Sequence, residues 1–122
     1  YQRRVRGKIM QRKIQLAYQS LKRIIKDVEV SYKERDQEIQ RMEKMSQDPN
    51  FMNDDFRMNQ QRTVVAQAVT SISDYKKMLE KAVEKLQAVL KEALDDVTIP
   101  QSEIATSKDY IQQAKVCLEK QE

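Results

Sequence analysis

Apolar residues return at alternating steps of four and three between Ile14 and Met42: Ile14, Tyr18, Leu21, Ile25, Val28, Tyr32, then Ile39 and Met42, with Arg35 the one polar interruption. This is a heptad seam on a helix. Extended outward it predicts helix 1 over about residues 4–46, a rod on the order of 60 Å long at 1.5 Å per residue. Gly7 leads to the expectation that the first few residues fray. Pro49 cannot continue the helix and disfavours helical geometry at Asp48, so the stretch from Ser46 to Asn53 is read as the first turn. Asn53 is a candidate cap for helix 2, expected over about 54–96, with Asp54 and Asp55 placed where the helix dipole favours negative charge.

The second seam is unbroken through Val65, Ala68, Ile72, Tyr75, Leu79, Ala82, Leu86, Val89 and Ala93, and Val69, Val83 and Leu90 widen it. So wide a stripe touches two neighbours, which makes helix 2 the expected central element, antiparallel to helix 1. Pro100 ends this run. Ser102 is then the candidate cap of helix 3, expected over about 102–120, with Ile104, Ile111, Ala114 and Leu118 as its apolar positions and Cys117 beside them. The predicted fold class is all-α: one antiparallel three-helix bundle over residues 1–122, with two long helices and a shorter third. Helix 3 covers only part of the long hairpin, so one end of helices 1 and 2 is expected to project as a two-helix arm.

Composition supports helices over strands. The chain has one Gly, two Pro and no Trp, and 34% of its residues are charged, which leaves too few turn residues for a fold of many short strands. It also narrows the chemistry. His is absent, and with it the commonest acid–base group and any Cys/His nucleophile pair. A non-catalytic protein without cofactor is therefore expected. The lone Cys117 cannot form an intramolecular disulfide and reads as a core thiol, consistent with a reducing cytosol. A phosphate-cradling loop needs several glycines before a helix, and the single Gly7 supplies none. The acidic pairs Asp54/Asp55 and Asp95/Asp96 sit at expected helix ends without calcium-loop spacing, so no metal is expected. Met45, Met52 and Met58 flank the first turn, either as an adaptable tip or as ordinary packing. No apolar run approaches the ~20 residues needed to span a bilayer. The chain begins at Tyr1 and not Met, and a short leader is expected ahead of it.

Charge is sorted along the chain. Residues 1–46 hold thirteen Lys/Arg against six Asp/Glu, a net of +7, whereas residues 47–122 hold ten against thirteen, a net of −3. It is also sorted by face. The positions of helix 1 that point away from the seam are Arg12, Leu16, Gln19, Arg23, Lys26, Val30, Lys33, Gln37, Gln40 and Lys44, and no carboxylate occurs among them. The acids of this helix fall on the flanks, where they can pair three or four residues away. A run of charge is ordinarily a solvated surface. Here the separation of sign, with Leu16 and Val30 as apolar points among the cations, marks Arg12, Leu16, Arg23, Lys26, Val30, Lys33 and Lys44 as candidate partner-binding residues for a protein. Nucleic acid fits less well, because only Arg3 to Lys13 precede the seam as a basic region and the later helices are net acidic. A membrane surface fits less well still, since the outward face has neither Trp nor Phe.

One string is distinctive: Leu21-Lys-Arg-Ile-Ile-Lys-Asp27, then Tyr32-Lys-Glu-Arg, then Glu38-Ile-Gln-Arg-Met-Glu-Lys-Met45. It resembles the first helix of the tubulin-binding cofactor A family, and the likeness continues through a long second helix to a short third in which Asp109-Tyr110 precedes Ala114 and Leu118. The resemblance implies a cytoplasmic, cytoskeleton-associated chaperone that captures β-tubulin after chaperonin release and passes it to other tubulin cofactors for heterodimer assembly, as a monomer or homodimer. Tubulin is acidic, in keeping with the cationic face. The competing reading is a structural or trafficking bundle, either spectrin-like or of the kind that regulates membrane fusion; unequal helix lengths and the missing Trp argue against the former.

Overall fold

The computed structural model describes residues 2–120, which form three α-helices and no strand. They are α1 (Gln2–Gln47), α2 (Asp55–Glu92) and α3 (Gln101–Glu119). Side-chain contacts fix their directions. Gln61, near the start of α2, donates to Glu38 on the later half of α1, while Lys13 lies 3.9 Å from Glu92 at the other end. The two long helices thus run in opposite directions. Gln15 bonds Glu103 and Tyr32 bonds the Lys120 carbonyl, so α3 runs alongside α1.

The seam residues carry the core. Leu21, Val28, Ile72, Leu79 and Leu86 are fully buried in one cluster with Ile25, Tyr32, Ile111 and Ala114, and Ile14 joins Val89, Ala93 and Ile99 in a second. α1 buries a further row at heptad spacing, Ala17, Ile24 and Ser31. Ala17 lines the same groove as Ala82 and Val89 of α2, whereas Tyr18 stacks on Tyr110 of α3 with ring centroids 5.8 Å apart. One row therefore faces α2 and the other α3. As a result α3 packs mainly on α1, not on the helix 2 that the wide sequence stripe marked as central. The buried Ser31 and Ser107 bring no unpaired hydroxyl, because they donate to the carbonyls of Val28 (2.6 Å) and Glu103 (2.9 Å) on their own helices.

Tyr32 marks the level at which the third helix stops. Its hydroxyl donates to the Lys120 carbonyl at 3.1 Å, and the cationic ends of Arg35, Lys76 and Lys120 stand 4.5–5.5 Å from its ring centroid. Arg35, the break in the seam, thus covers the last core tyrosine by a cation–π contact while its guanidinium bonds Asp36 at 3.0 Å. Beyond this level α1 and α2 continue as a pair. Only Met58 and Gln61 of α2 are buried there, and Gln61 is held by the carbonyl and carboxylate of Glu38 at 2.9 and 2.7 Å.

Three local expectations are corrected. The cap of α2 is Asp54, not Asn53: its carboxylate accepts from the Arg57 amide at 3.1 Å, and the preceding turn, closed by the Phe51 and Met52 amides on the Asp48 carbonyl, puts Asn53 one residue too early. Pro100, not Ser102, stands at the N-cap of α3, leaving Ser102 inside the first turn with no capping bond. Lastly, α2 stops at Glu92, and residues 93–99 fold into a turn that returns the buried Ile99 to the core.

Gly7 is the fourth correction. It lies buried within α1, and an added Cβ would collide with Thr98 Oγ1 and come within 3.1 Å of Thr98 Cβ. The missing side chain lets the α2–α3 turn approach the helix. Ala normally gains about 1 kcal/mol over Gly in a helix interior; Gly7→Ala is expected to lose that gain and shift the Thr98 amide resonance. In a Thr98→Gly background the same change should stabilise the chain. Equal effects in the two backgrounds, measured by thermal melting, would remove the close-approach account.

The turn also holds a hydrogen-bonded carboxyl group. The Thr98 hydroxyl and amide both donate to Asp96 and hold its carboxyl below the ordinary 3.8. A depressed folded value means that this contribution is present above the unfolded pKa and is lost as pH falls through the folded one. Acidification below pH ~4 is expected to move the Thr98 amide resonance, and Asp96→Asn should abolish that step.

Candidate functional site

Arg12, Leu16, Arg23, Lys26, Val30, Lys33 and Lys44 are all exposed on α1. They occupy two adjacent heptad positions, so they form one stripe about two side chains wide and on the order of 48 Å long. The apolar points stand out, Leu16 at 53% and Val30 at 39% exposure. Among the described residues, none of the five cations lies within 4 Å of a carboxylate oxygen. The acids take the two flanks, Asp27 and Glu34 on one and Glu29, Asp36 and Glu43 on the other. Of these, Asp36 is held by Arg35. The stripe therefore offers unneutralised positive charge with apolar footholds. Near its middle it borders the shallow α1–α3 groove, where Arg23 and Lys26 stand beside Tyr110 and Gln113.

Lys44 is set apart from the other six. It lies on the two-helix arm, whereas Arg12 to Val30 lie on the three-helix body and Lys33 at its boundary. The tip of the arm separates the three methionines: Met58 is buried, Met45 half-buried and Met52 exposed. Phe56 beside them is 72% exposed, and Arg57 stacks over Phe51 at 5.2 Å.

A further concave surface, which neither seam marks, runs between α2 and α3. Its floor is Leu90, Ile104 and Ile111, the exposed Leu94 also lines it, and its volume is about 700 Å³. α2 ends at Glu92, so Leu94 reaches this surface from the turn that follows.

Burial, and then the neighbouring Glu103 carboxylate, push the Tyr18 phenol above its ordinary value. Burial, and then Glu29, raise the Cys117 thiol, which disfavours the thiolate at neutral pH. No group of three or more His, Cys, Asp or Glu among the described residues could hold a metal ion, and no described helix is long and apolar enough to cross a membrane.

Three helices, a cationic face with apolar points and a projecting arm define an all-helical bundle with an extended charged surface. The chain belongs to the tubulin binding cofactor A family, whose model matches residues 10–116 of its 122. That span includes every residue of the stripe and most of all three helices. Comparison with curated proteins gave no match, and comparison with solved structures gave none.

Proposed function

We propose that this chain is a tubulin-folding chaperone that captures β-tubulin after its release from the chaperonin, stabilises it and holds it for α/β heterodimer assembly. The observation that carries the reading is the acid-free cationic stripe of α1 on a chain of this family. An acidic client is drawn to such a face by long-range attraction, and Leu16 and Val30 supply contacts that hold it once docked. The antiparallel three-helix bundle acts as one domain, a rigid rod on which the stripe is laid out without a conformational step. Its place of action is the cytoplasm, beside the cytoskeleton, with other tubulin cofactors as further partners. The role needs neither catalysis nor a cofactor.

Affinity capture from cytosolic extract tests this reading. The immobilised chain is expected to retain β-tubulin in preference to α-tubulin, with retention falling as salt rises. Equal recovery of both tubulins, or of neither, would leave the chain as a structural or trafficking bundle.

A further inference from the structure

The groove between α2 and α3 lies across the bundle from the α1 stripe, and its chemistry is its own. Its floor is aliphatic, with Ile111 buried and Leu90 and Ile104 half-buried, and Leu94, 76% exposed, also lines it. Its rim carries Lys91 from α2 and Lys108 and Lys115 from α3, the last two a heptad apart on one side. The remaining lining is glutamine and no carboxylate, although residues 47–122 are net acidic. Asp95 and Glu119 stand one turn from Lys91 and Lys115 but do not line the groove. Among the described residues, none of the three lysines has an ion-pair partner within 4 Å.

We infer that this groove docks an acidic amphipathic helix from another protein. Two antiparallel helices with an apolar furrow between them leave the position that a fourth helix fills in a four-helix bundle. From Gln101 to Lys115 the furrow is about 21 Å long, room for roughly 14 residues of helix. Apolar residues of the incoming helix at steps of three and four cover Leu94 and Ile104, and carboxylates on its two edges meet Lys91 on one side and Lys108 and Lys115 on the other. A bare polyanion would leave the aliphatic floor wet, and an uncharged helix would leave the lysines without partners. The inference is independent of tubulin capture. It gives the bundle a second site on the face opposite the stripe, so that two partners can be held at once.

The test uses a designed 18-residue peptide with leucine at heptad a and d positions and glutamate on both flanks, a twin with lysine for every glutamate, and a scrambled control. Each is titrated into the isotope-labelled chain. The glutamate peptide is expected to shift amides around Lys91, Leu94, Lys108 and Lys115 and to bind at least ~10-fold tighter than its lysine twin. Joint replacement Lys91→Glu, Lys108→Glu and Lys115→Glu should abolish that binding. Leu94→Ser, a change at an exposed turn position, should weaken it with no loss of melting temperature. The triple variant Arg23→Glu, Lys26→Glu, Lys33→Glu should bind the peptide normally. Equal binding of all three peptides, shifts confined to other surfaces, or concentration-dependent self-association covering the same amides would each overturn the inference. No tubulin enters the assay, so its failure and a failure to capture tubulin are read separately.

Discussion

Joint replacement of Arg23, Lys26 and Lys33 by glutamate is expected to weaken tubulin capture by about 30- to 100-fold, or roughly 2–3 kcal/mol. The three side chains are exposed, and among the described residues they have no ion-pair partner within 4 Å. Their charge is therefore available to a client, and reversing it changes attraction into repulsion along one ~15 Å stretch of helix. Most of the loss should appear in the association rate and in a flattened salt dependence, since rim charges steer encounter more than they hold the complex. The fold should change little. Glu at 23 would face Asp27, and Glu at 33 would face Glu29, both at i,i+4 spacing, at a few tenths of a kcal/mol each. A glutamine triple variant avoids that repulsion and should still lose roughly half of the free-energy effect. Surface plasmon resonance with purified β-tubulin, with circular dichroism melting of each variant, provides the check. Unaltered affinity would clear this face of the role, and a loss that tracked unfolding would assign the effect to stability.

The two long helices and the third were legible because their seams are made of large aliphatic and aromatic residues whose spacing admits few other structures. The row Ala17, Ile24 and Ser31 was not. Two of its three members are small or polar, so burial left no hydropathic trace, although the spacing of seven was there to be read. Arg35 marked a true boundary: the seam breaks where α3 ends, and the cation closes over Tyr32. Gly7 was misread because a glycine near a chain end has two opposite meanings, loose helix or close approach, and only the position of Thr98 distinguishes them. The caps were ambiguous for a similar reason. Asn53, Asp54 and Asp55 can all cap, and the bonds of the turn at Asp48 select the middle one. The cationic stripe was readable because it lies on one helix and obeys one period. The α2–α3 groove was hidden because its two walls are separated in sequence and meet only after the turn at residues 93–99 is set.

Leu79→Ala is expected to be the most damaging single core change, costing about 3 kcal/mol and lowering the melting temperature by roughly 10–15 °C. Leu79 is fully buried at the centre of the row Ile72, Leu79 and Leu86, which runs along α2 inside the three-helix body. Long helices packed on two sides cannot close over the lost atoms, so the cavity persists and adds to the lost transfer energy. Met58→Ala offers the contrast. Met58 is buried, but on the arm, where two helices meet without a third, so the pair can draw together and the loss should be nearer ~1–2 kcal/mol. Native-state hydrogen exchange separates the two outcomes. Leu79→Ala should accelerate the slowest amides of all three helices, because it lowers the global unfolding free energy. Met58→Ala should accelerate only amides of the arm, about residues 36–47 and 55–70, and leave the body protected. Global acceleration by Met58→Ala would show that the arm and body unfold as one unit. Local acceleration would mean that the stripe from Arg12 to Lys33 is laid on the stable part of the rod. Client capture by the Met58→Ala chain should then persist, apart from the share contributed by Lys44.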